Sequence, residues 1–169
     1  MTDGELKALQ APLKERYRSE PATALATLTA RGELDQGRIV CRIPAGGGAV
    51  IEAGLHEMAG GDGSCACSAQ MLLEALVGCA GVTLCAVATA MNIAIASGAV
   101  VAEGDLDFRG TLGVSRETPV GFTAIRLRIA LATAAEDSSL AKLGQLTERY
   151  CVVAQSLAVR PTVEVTRIG

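Results

Sequence analysis

Residues Ser68 to Asn92 read SAQMLLEALVGCAGVTLCAVATAMN, and Glu74 is their only formal charge. Their Ala, Leu and Met content favours a helix. On a helical wheel the segment is apolar almost all round, which predicts burial on every side rather than an amphipathic surface helix. At about 100° per residue, Gln70, Glu74, Gly78, Gly81, Cys85, Ala88 and Asn92 share one stripe, whereas Leu72, Leu76, Cys79 and Thr83 fall roughly opposite. Glycine inside a helix costs about 1 kcal/mol relative to alanine, so Gly78 and Gly81 predict the close approach of another backbone, with a second long helix as the natural candidate.

The uncharged run Ala75 to Met91 approaches the roughly 20 apolar residues that cross a bilayer. It lacks basic flanks and aromatic belts, and the rest of the chain alternates as a soluble sheet protein does. The expectation is therefore a core helix and no membrane partner. Glu5, Lys7, Lys14, Glu15 and Arg16 interrupt the first apolar positions, so no cleavable signal peptide is expected.

A chain of 169 residues, 50% hydrophobic and 20% charged, with net charge −3, is long enough for one domain with a real core. A single domain over residues 1–169 is expected, with 1–20 as an amino-terminal helical extension. Four aromatic residues, no Trp and a pI near 5.2 argue against base-stacking platforms and against nucleic acid as partner. Six cysteines without a signal peptide point to a reducing, cytoplasmic setting. There thiols are buried, metal-binding or redox-active rather than parts of a static disulfide framework.

Around the long helix the chain reads as short strands and amphipathic pieces. Leu6, Leu9, Leu13 and Tyr17 have helical spacing, and Pro21 stops that helix, which should lie against the body. Ala22 to Leu34 alternates as a strand and pairs in a hairpin with Arg38 to Ile43; Ala49 to Leu55 makes a third strand. His56 to Cys67 is a glycine-rich loop into the long helix. Val100 to Phe108 and Gly121 to Ala132 are strands, the latter with Ile125, Leu127, Ile129 and Leu131 on its core face and Arg126 and Arg128 on its wet face. Arg109 to Pro119 connects them as a polar turn. Ser138 to Tyr150 returns to helical spacing, CVVAQSLAV continues apolar to Val159, and TVEV is a last strand. Strands flanking a central helix, without repeated βαβ units, predict an α+β fold. No GxGxxG or phosphate loop is present, and no cofactor is expected.

Cys41 inside a strand reads as a small core residue. His56, Cys65 and Cys67 lie close enough in sequence to gather a soft metal such as Zn²⁺ or Cu⁺, although the spacing is not a standard one. The plainer reading leaves them as loop residues, without a metal.

The succession of a glycine-rich loop, LLEALVGCAGVTLCAVA, EGDLDFRGTLGV, GFTAIRLRI and LTERYCVVAQSL resembles the OsmC/Ohr family, the osmotically inducible protein C and organic hydroperoxide resistance proteins. The resemblance spans Thr27 to Val165. It implies an OsmC-like fold, with a curved antiparallel sheet around a long central buried helix in an intertwined homodimer whose active sites lie at the subunit interface. It also implies thiol-dependent reduction of small hydrophobic hydroperoxides, in oxidative stress defence, at the expense of a dithiol reductant such as a lipoylated protein. By that resemblance Cys79 is the peroxidatic and Cys151 the resolving cysteine. A thiolate attacks the O–O bond, and a second thiol converts the resulting sulfenic acid to a disulfide.

The family's peroxidases carry a glutamate ten residues before the catalytic cysteine, where it holds the arginine that activates the thiol. Here that position is Ala69, followed by Gln70. Arg31, Arg38 and Arg42 are the candidates for the arginine, with no local motif to select one. Cys79 sits mid-helix and cannot use the positive end of its own helix, so a cation has to be brought by another segment or the thiol stays inert. The alternative is a non-catalytic or metal-binding relative that holds a small hydrophobic or thiol ligand at the dimer interface.

Overall fold

The computed structural model describes residues 2–168. Helix α1 (Asp3–Ser19) opens on a capping box: the Glu5 N–H donates to the Thr2 hydroxyl at 3.2 Å, and the Thr2 N–H donates to the Glu5 carboxylate at 2.6 Å. The helix buries none of its residues, and Leu9, Leu13 and Tyr17 stay exposed. The amphipathic spacing is thus real: α1 touches α2 and Leu6 is half-buried, but the rest of its apolar face is not covered within one chain.

Strands β1 (Glu33–Asp35), β2 (Val40–Pro44), β3 (Val50–Gly54) and β4 (Ala66–Cys67) form one sheet in that order. The expected hairpin is present, with Leu34 opposite Cys41. The expected strand over Ala22 to Leu34 is mostly not formed: Pro21–Ala24 is a single 3₁₀ turn, and residues 25–32 run without a ladder partner. Leu28 is 92% exposed. Alternation marks a segment suited to a sheet, but a strand also needs an edge to pair with, and none of the described residues pairs with this one. β2 begins at Val40 rather than Arg38 because Ile39 takes φ +54°, which turns the backbone out of the extended region.

Helix α2 (Ser68–Ala90) is the quoted stretch, and it follows β4 directly. Its buried residues are Leu73, Leu76, Ala80, Leu84 and Ala88, a single stripe at helical spacing. The expected all-round burial is not met within one chain. Only 28% of the helix's most apolar window is buried, Val82 is 74% exposed, and Gly78 faces open space. The hydropathy would let α2 cross a membrane by length and composition alone; in the fold, its buried stripe is the spine of the core.

The second sheet has the order β5 (Ser97–Leu106), β6 (Phe122–Ala132), β7 (Thr162–Arg167). β5 and β6 are antiparallel, while β7 adds parallel to β6, and β4 likewise adds parallel to β3. Both sheets are therefore mixed rather than purely antiparallel. Ile125, Leu127, Ile129 and Leu131 are all at most 3% exposed, and they pack with the buried stripe of α2 in one core. On the opposite face Arg126 and Arg128 pair with Glu103 and Asp105. The connection after β5 contains a short helix α3 (Phe108–Thr111), capped by the Asp107 carboxylate at 3.0 Å from the Arg109 N–H. Helix α4 (Asp137–Tyr150) contributes Leu140, Leu143, Gly144 and Thr147 to the interior. The apolar run after it is not one continuous helix, since the chain breaks at Cys151 and restarts as α5 (Val152–Ser156).

Candidate thiol site

Cys79 lies at the centre of α2 on the flank of the buried stripe, half-buried, and Cys151 sits at the junction of α4 and α5, fully buried. The fold brings these two thiols close enough for each to shift the pKa of the other. Cys151 caps α5: its sulfur accepts the Ala154 N–H at 3.5 Å, and its carbonyl accepts the Gln155 N–H at 3.0 Å. The break between the helices thereby turns the first N–H groups of α5 toward the thiol pair.

The two sulfurs are driven in opposite directions. Burial acts to raise the Cys79 thiol, but hydrogen bonds from the Val153 N–H, the Cys151 thiol, the Val152 N–H and the Thr83 hydroxyl outweigh it and hold Cys79 below the ordinary thiol range. Burial pushes the Cys151 thiol up; the Ala154 N–H opposes this, and negative charge on Cys79 adds to the rise. Cys79 is thus the more easily ionised thiol of the two.

The groups with the largest effect on Cys79 belong to Val153, Cys151, Val152 and Thr83, and none of these is an arginine. Arg38 makes two hydrogen bonds to Glu52, at 3.0 and 2.8 Å, and Arg42 reaches Glu52 at 3.0 Å and Asp35 at 3.1 Å. The two guanidiniums lower the Glu52 carboxyl to about 2. Arg31 stands 3.9 Å from Glu33. All three arginines belong to the first sheet and its entry. The expected cation is not among the groups with the largest effect on Cys79; within this chain the strongest lowering influence is the Val153 N–H.

Val152, Val153 and Thr83 carry this role without having stood out in the sequence. Backbone donors leave no residue signature, and the one available hint is the β-branched pair Val152 and Val153 directly after a cysteine, a poor continuation of a helix.

His56, Cys65 and Cys67 are not gathered. Among the described residues no three His, Cys, Asp or Glu side chains form a cluster that could hold a metal. The His56 Nδ1 accepts the Met58 N–H at 3.0 Å, and its ring lies 4.9 Å from that of Phe108. Cys65 lies against Gly54 and 3.7 Å from the Ser64 hydroxyl, while Cys67 occupies the N-cap position of α2. Ala69 lines an apolar cavity of about 340 Å³ with His56, Leu72, Leu106, Phe108 and Phe122. A carboxylate at position 69 would place a charge in that wall; alanine leaves it apolar.

The family model described as OsmC-like protein matches residues 61–166, well over half of the chain. No curated protein sequence matches. Among solved structures the chain is similar to an OsmC-like protein from Mycoplasma pneumoniae, at 13% identity and TM-score 0.69, covering 85% of this chain and 99% of that one. It is also similar to an organic hydroperoxide resistance protein OsmC, a predicted redox protein, from Legionella pneumophila, at 16% identity and TM-score 0.64, covering 86% and 100%. A third is a putative organic hydroperoxide resistance protein from Vibrio cholerae with captopril in one of its active sites, at 17% identity and TM-score 0.60, covering 86% and 94%. At these identities the solved structures speak for the fold, and the match over residues 61–166 places the chain in the OsmC-like family.

Proposed function

We propose that the chain is a thiol peroxidase that reduces organic hydroperoxides, with Cys79 as the attacking and Cys151 as the resolving residue. The observation that carries this reading is the opposed pair: Cys79 is held low by the Val153 and Val152 N–H groups, beside a Cys151 that burial holds high. Family membership and neighbours named organic hydroperoxide resistance proteins support a role in peroxide stress.

In the first step the Cys79 thiolate attacks one peroxide oxygen of ROOH. The O–O bond breaks, the alkoxide leaves and takes a proton to become ROH, and Cys79 becomes a sulfenic acid. In the second, the Cys151 sulfur attacks the Cys79 sulfur, the S–O bond breaks, and water departs with the Cys151 proton. The resulting disulfide is returned to two thiols by a dithiol reductant, such as a lipoylated protein, which is itself oxidised.

The working form in this proposal is a cytoplasmic homodimer. The exposed apolar flank of α2 and the unpartnered segment at residues 25–32 favour a second copy that covers them. A second copy could also bring Arg31, Arg38 or Arg42 to Cys79; in the single chain Arg38 and Arg42 answer to Glu52.

The test is hydroperoxide consumption by metal-stripped protein with a dithiol reductant. Activity in the wild type and its loss in Cys79→Ser and Cys151→Ser are expected. Equal turnover in wild type and Cys79→Ser would refute the assignment. A second reading, binding of a small hydrophobic ligand without turnover, is favoured by the apolar cavity beside Ala69. It predicts saturable binding of an apolar probe by a protein whose Cys79 is inert to peroxide.

A further inference from the structure

The chain holds two phenylalanines and one histidine, and all three line the apolar cavity of about 340 Å³ beside Ala69. Two of these rings have fixed neighbours. The Phe122 ring packs over Gly104, where a Cβ would stand 2.6 Å from it, and the His56 ring lies 4.9 Å from that of Phe108, tilted by 36°. Leu55, Leu72 and Val120 also line the cavity, and all three large apolar side chains stay exposed. The volume lies within the range of small-molecule sites, and at roughly 30 Å³ per water-sized group it holds about ten non-hydrogen atoms.

No Lys, Arg, Asp or Glu lines the cavity among the described residues, so a charged ligand would lose its hydration there without gaining a counter-charge. Polar side chains in the wall are few. The Thr111 hydroxyl is already spent, donating to the Val120 carbonyl at 3.2 Å. Ser68, at the start of α2, brings a second hydroxyl. The His56 Nδ1 accepts the Met58 N–H at 3.0 Å, and with that nitrogen occupied the neutral ring carries its proton on Nε2. The Nε2–H is then the donor that His56 has to offer a ligand.

The geometry points to a binding site for a neutral molecule of about ten non-hydrogen atoms. Its apolar body lies against Phe108 and Phe122, and its one carbonyl oxygen accepts from the His56 Nε2–H. The assignment rests on the second reading above only in that this cavity holds a ligand, and it names the ligand's class. Turnover at Cys79 is not part of it. Cys79 and Cys151 do not line the cavity, and Leu72, the lining residue of α2 nearest to Cys79, is seven residues away, about 10 Å along the helix axis.

The probes are acetophenone, cumene and benzoate, molecules of matched size that carry a ketone, no polar atom and a carboxylate respectively. Binding is followed by calorimetry and by the imidazole nitrogen signals in NMR, which all belong to His56, the single histidine. The solution is held at about pH 8, above the ordinary imidazole range. Acetophenone should bind saturably and shift the Nε2 signal. Cumene should bind roughly five- to ten-fold more weakly, the loss of one hydrogen bond, and benzoate should not compete. His56→Phe should lower acetophenone to the level of cumene and leave cumene unchanged, while His56→Gln, which keeps an N–H, should recover part of the difference. Ala69→Phe should exclude both neutral probes by filling the cavity. The comparison of three probes in wild type keeps the test decisive should a variant not fold. Equal affinity for acetophenone and cumene, benzoate bound as tightly as acetophenone, or a ketone preference that survives His56→Phe and falls in Ser68→Ala would overturn the assigned class alone. Probe binding untouched by Ala69→Phe would overturn the site. No saturable binding of either neutral probe would overturn the class together with the ligand-binding reading.

Discussion

The backbone N–H of Val153, in the first turn of α5, helps to hold down the thiol pKa of Cys79 at the centre of α2, about 70 residues earlier in the chain. A cysteine in mid-helix is remote from both ends of its own helix and gains nothing from the helix's dipole. The break at Cys151 supplies what α2 cannot: a second set of N–H donors at the start of another helix, beside a second thiol.

The pH dependence of Cys79 follows from this. Its thiol is held below the ordinary value of about 8.5, so iodoacetamide alkylation of Cys79 should reach half its maximal rate below that pH. In Cys151→Ala one of the donors is gone, and the midpoint should move upward. Because the folded state lowers this pKa, its contribution to stability is present above the unfolded thiol pKa and is lost as pH falls through the folded one. An unmoved midpoint in Cys151→Ala would show that the second thiol does not act on the first.

Arg160 should matter through α5. Its guanidinium donates to the Ala154 carbonyl at 3.0 Å and the Gln155 side-chain oxygen at 2.9 Å, pinning the short helix whose other end serves Cys79. Arg160→Ala is expected to cost about 1 kcal/mol of stability, the net worth of such bonds. It should also raise the alkylation midpoint of Cys79, whereas Arg160→Lys should restore part of the effect. A stability loss with no change at Cys79 would confine Arg160 to a structural role.

Gly110 is a simpler case. A Cβ there would collide with the Pro119 carbonyl oxygen and stand 2.8 Å from that of Thr118, both backbone atoms that cannot swing aside. Gly110→Ala should lower stability by about 1–3 kcal/mol, seen as a drop of several degrees in melting temperature. An unchanged melting curve would mean that the connection between β5 and β6 is looser than the fold requires.

Much of the core was legible because its signals are local. The alternation of Ile125, Leu127, Ile129 and Leu131 and the helical spacing of Leu140 and Leu143 each state a burial face, and those faces are the buried ones. The α2 stretch states a helix but not which face is covered: almost every face is apolar, and Leu73, Leu76, Ala80, Leu84 and Ala88 are selected only by the sheet and α4 that pack there. Ala22 to Leu34 carries the pattern of a strand, yet pairing is a property of two segments, and only Glu33–Asp35 finds one in this chain. At the thiol site the two cysteines could be named from their contexts. The break at Cys151 has no Gly or Pro to mark it, and the donors it creates are main-chain groups that all residues but proline possess.

The exposed flank of α2 makes the oligomeric state testable by one charge. Val82 is an apolar residue standing 74% exposed on a helix this hydrophobic, and Gly78 on the same flank faces open space. If a second copy covers the flank, light scattering should report a dimer for wild type and a monomer for Val82→Asp, since an unpaired carboxylate in an apolar interface is strongly disfavoured. A wild-type monomer at micromolar concentration would rule out the homodimer.

The pairing of Cys79 with Cys151 is tested most directly by peptide mapping after a stoichiometric pulse of organic hydroperoxide on the fully reduced protein. The expected product is one intramolecular disulfide that links the Cys79 and Cys151 peptides, with Cys41 and Cys85 still free thiols. Closure is expected to be slower than in a relative that carries glutamate at the position of Ala69. A map in which Cys79 stays reduced and no such linked peptide forms would contradict the account.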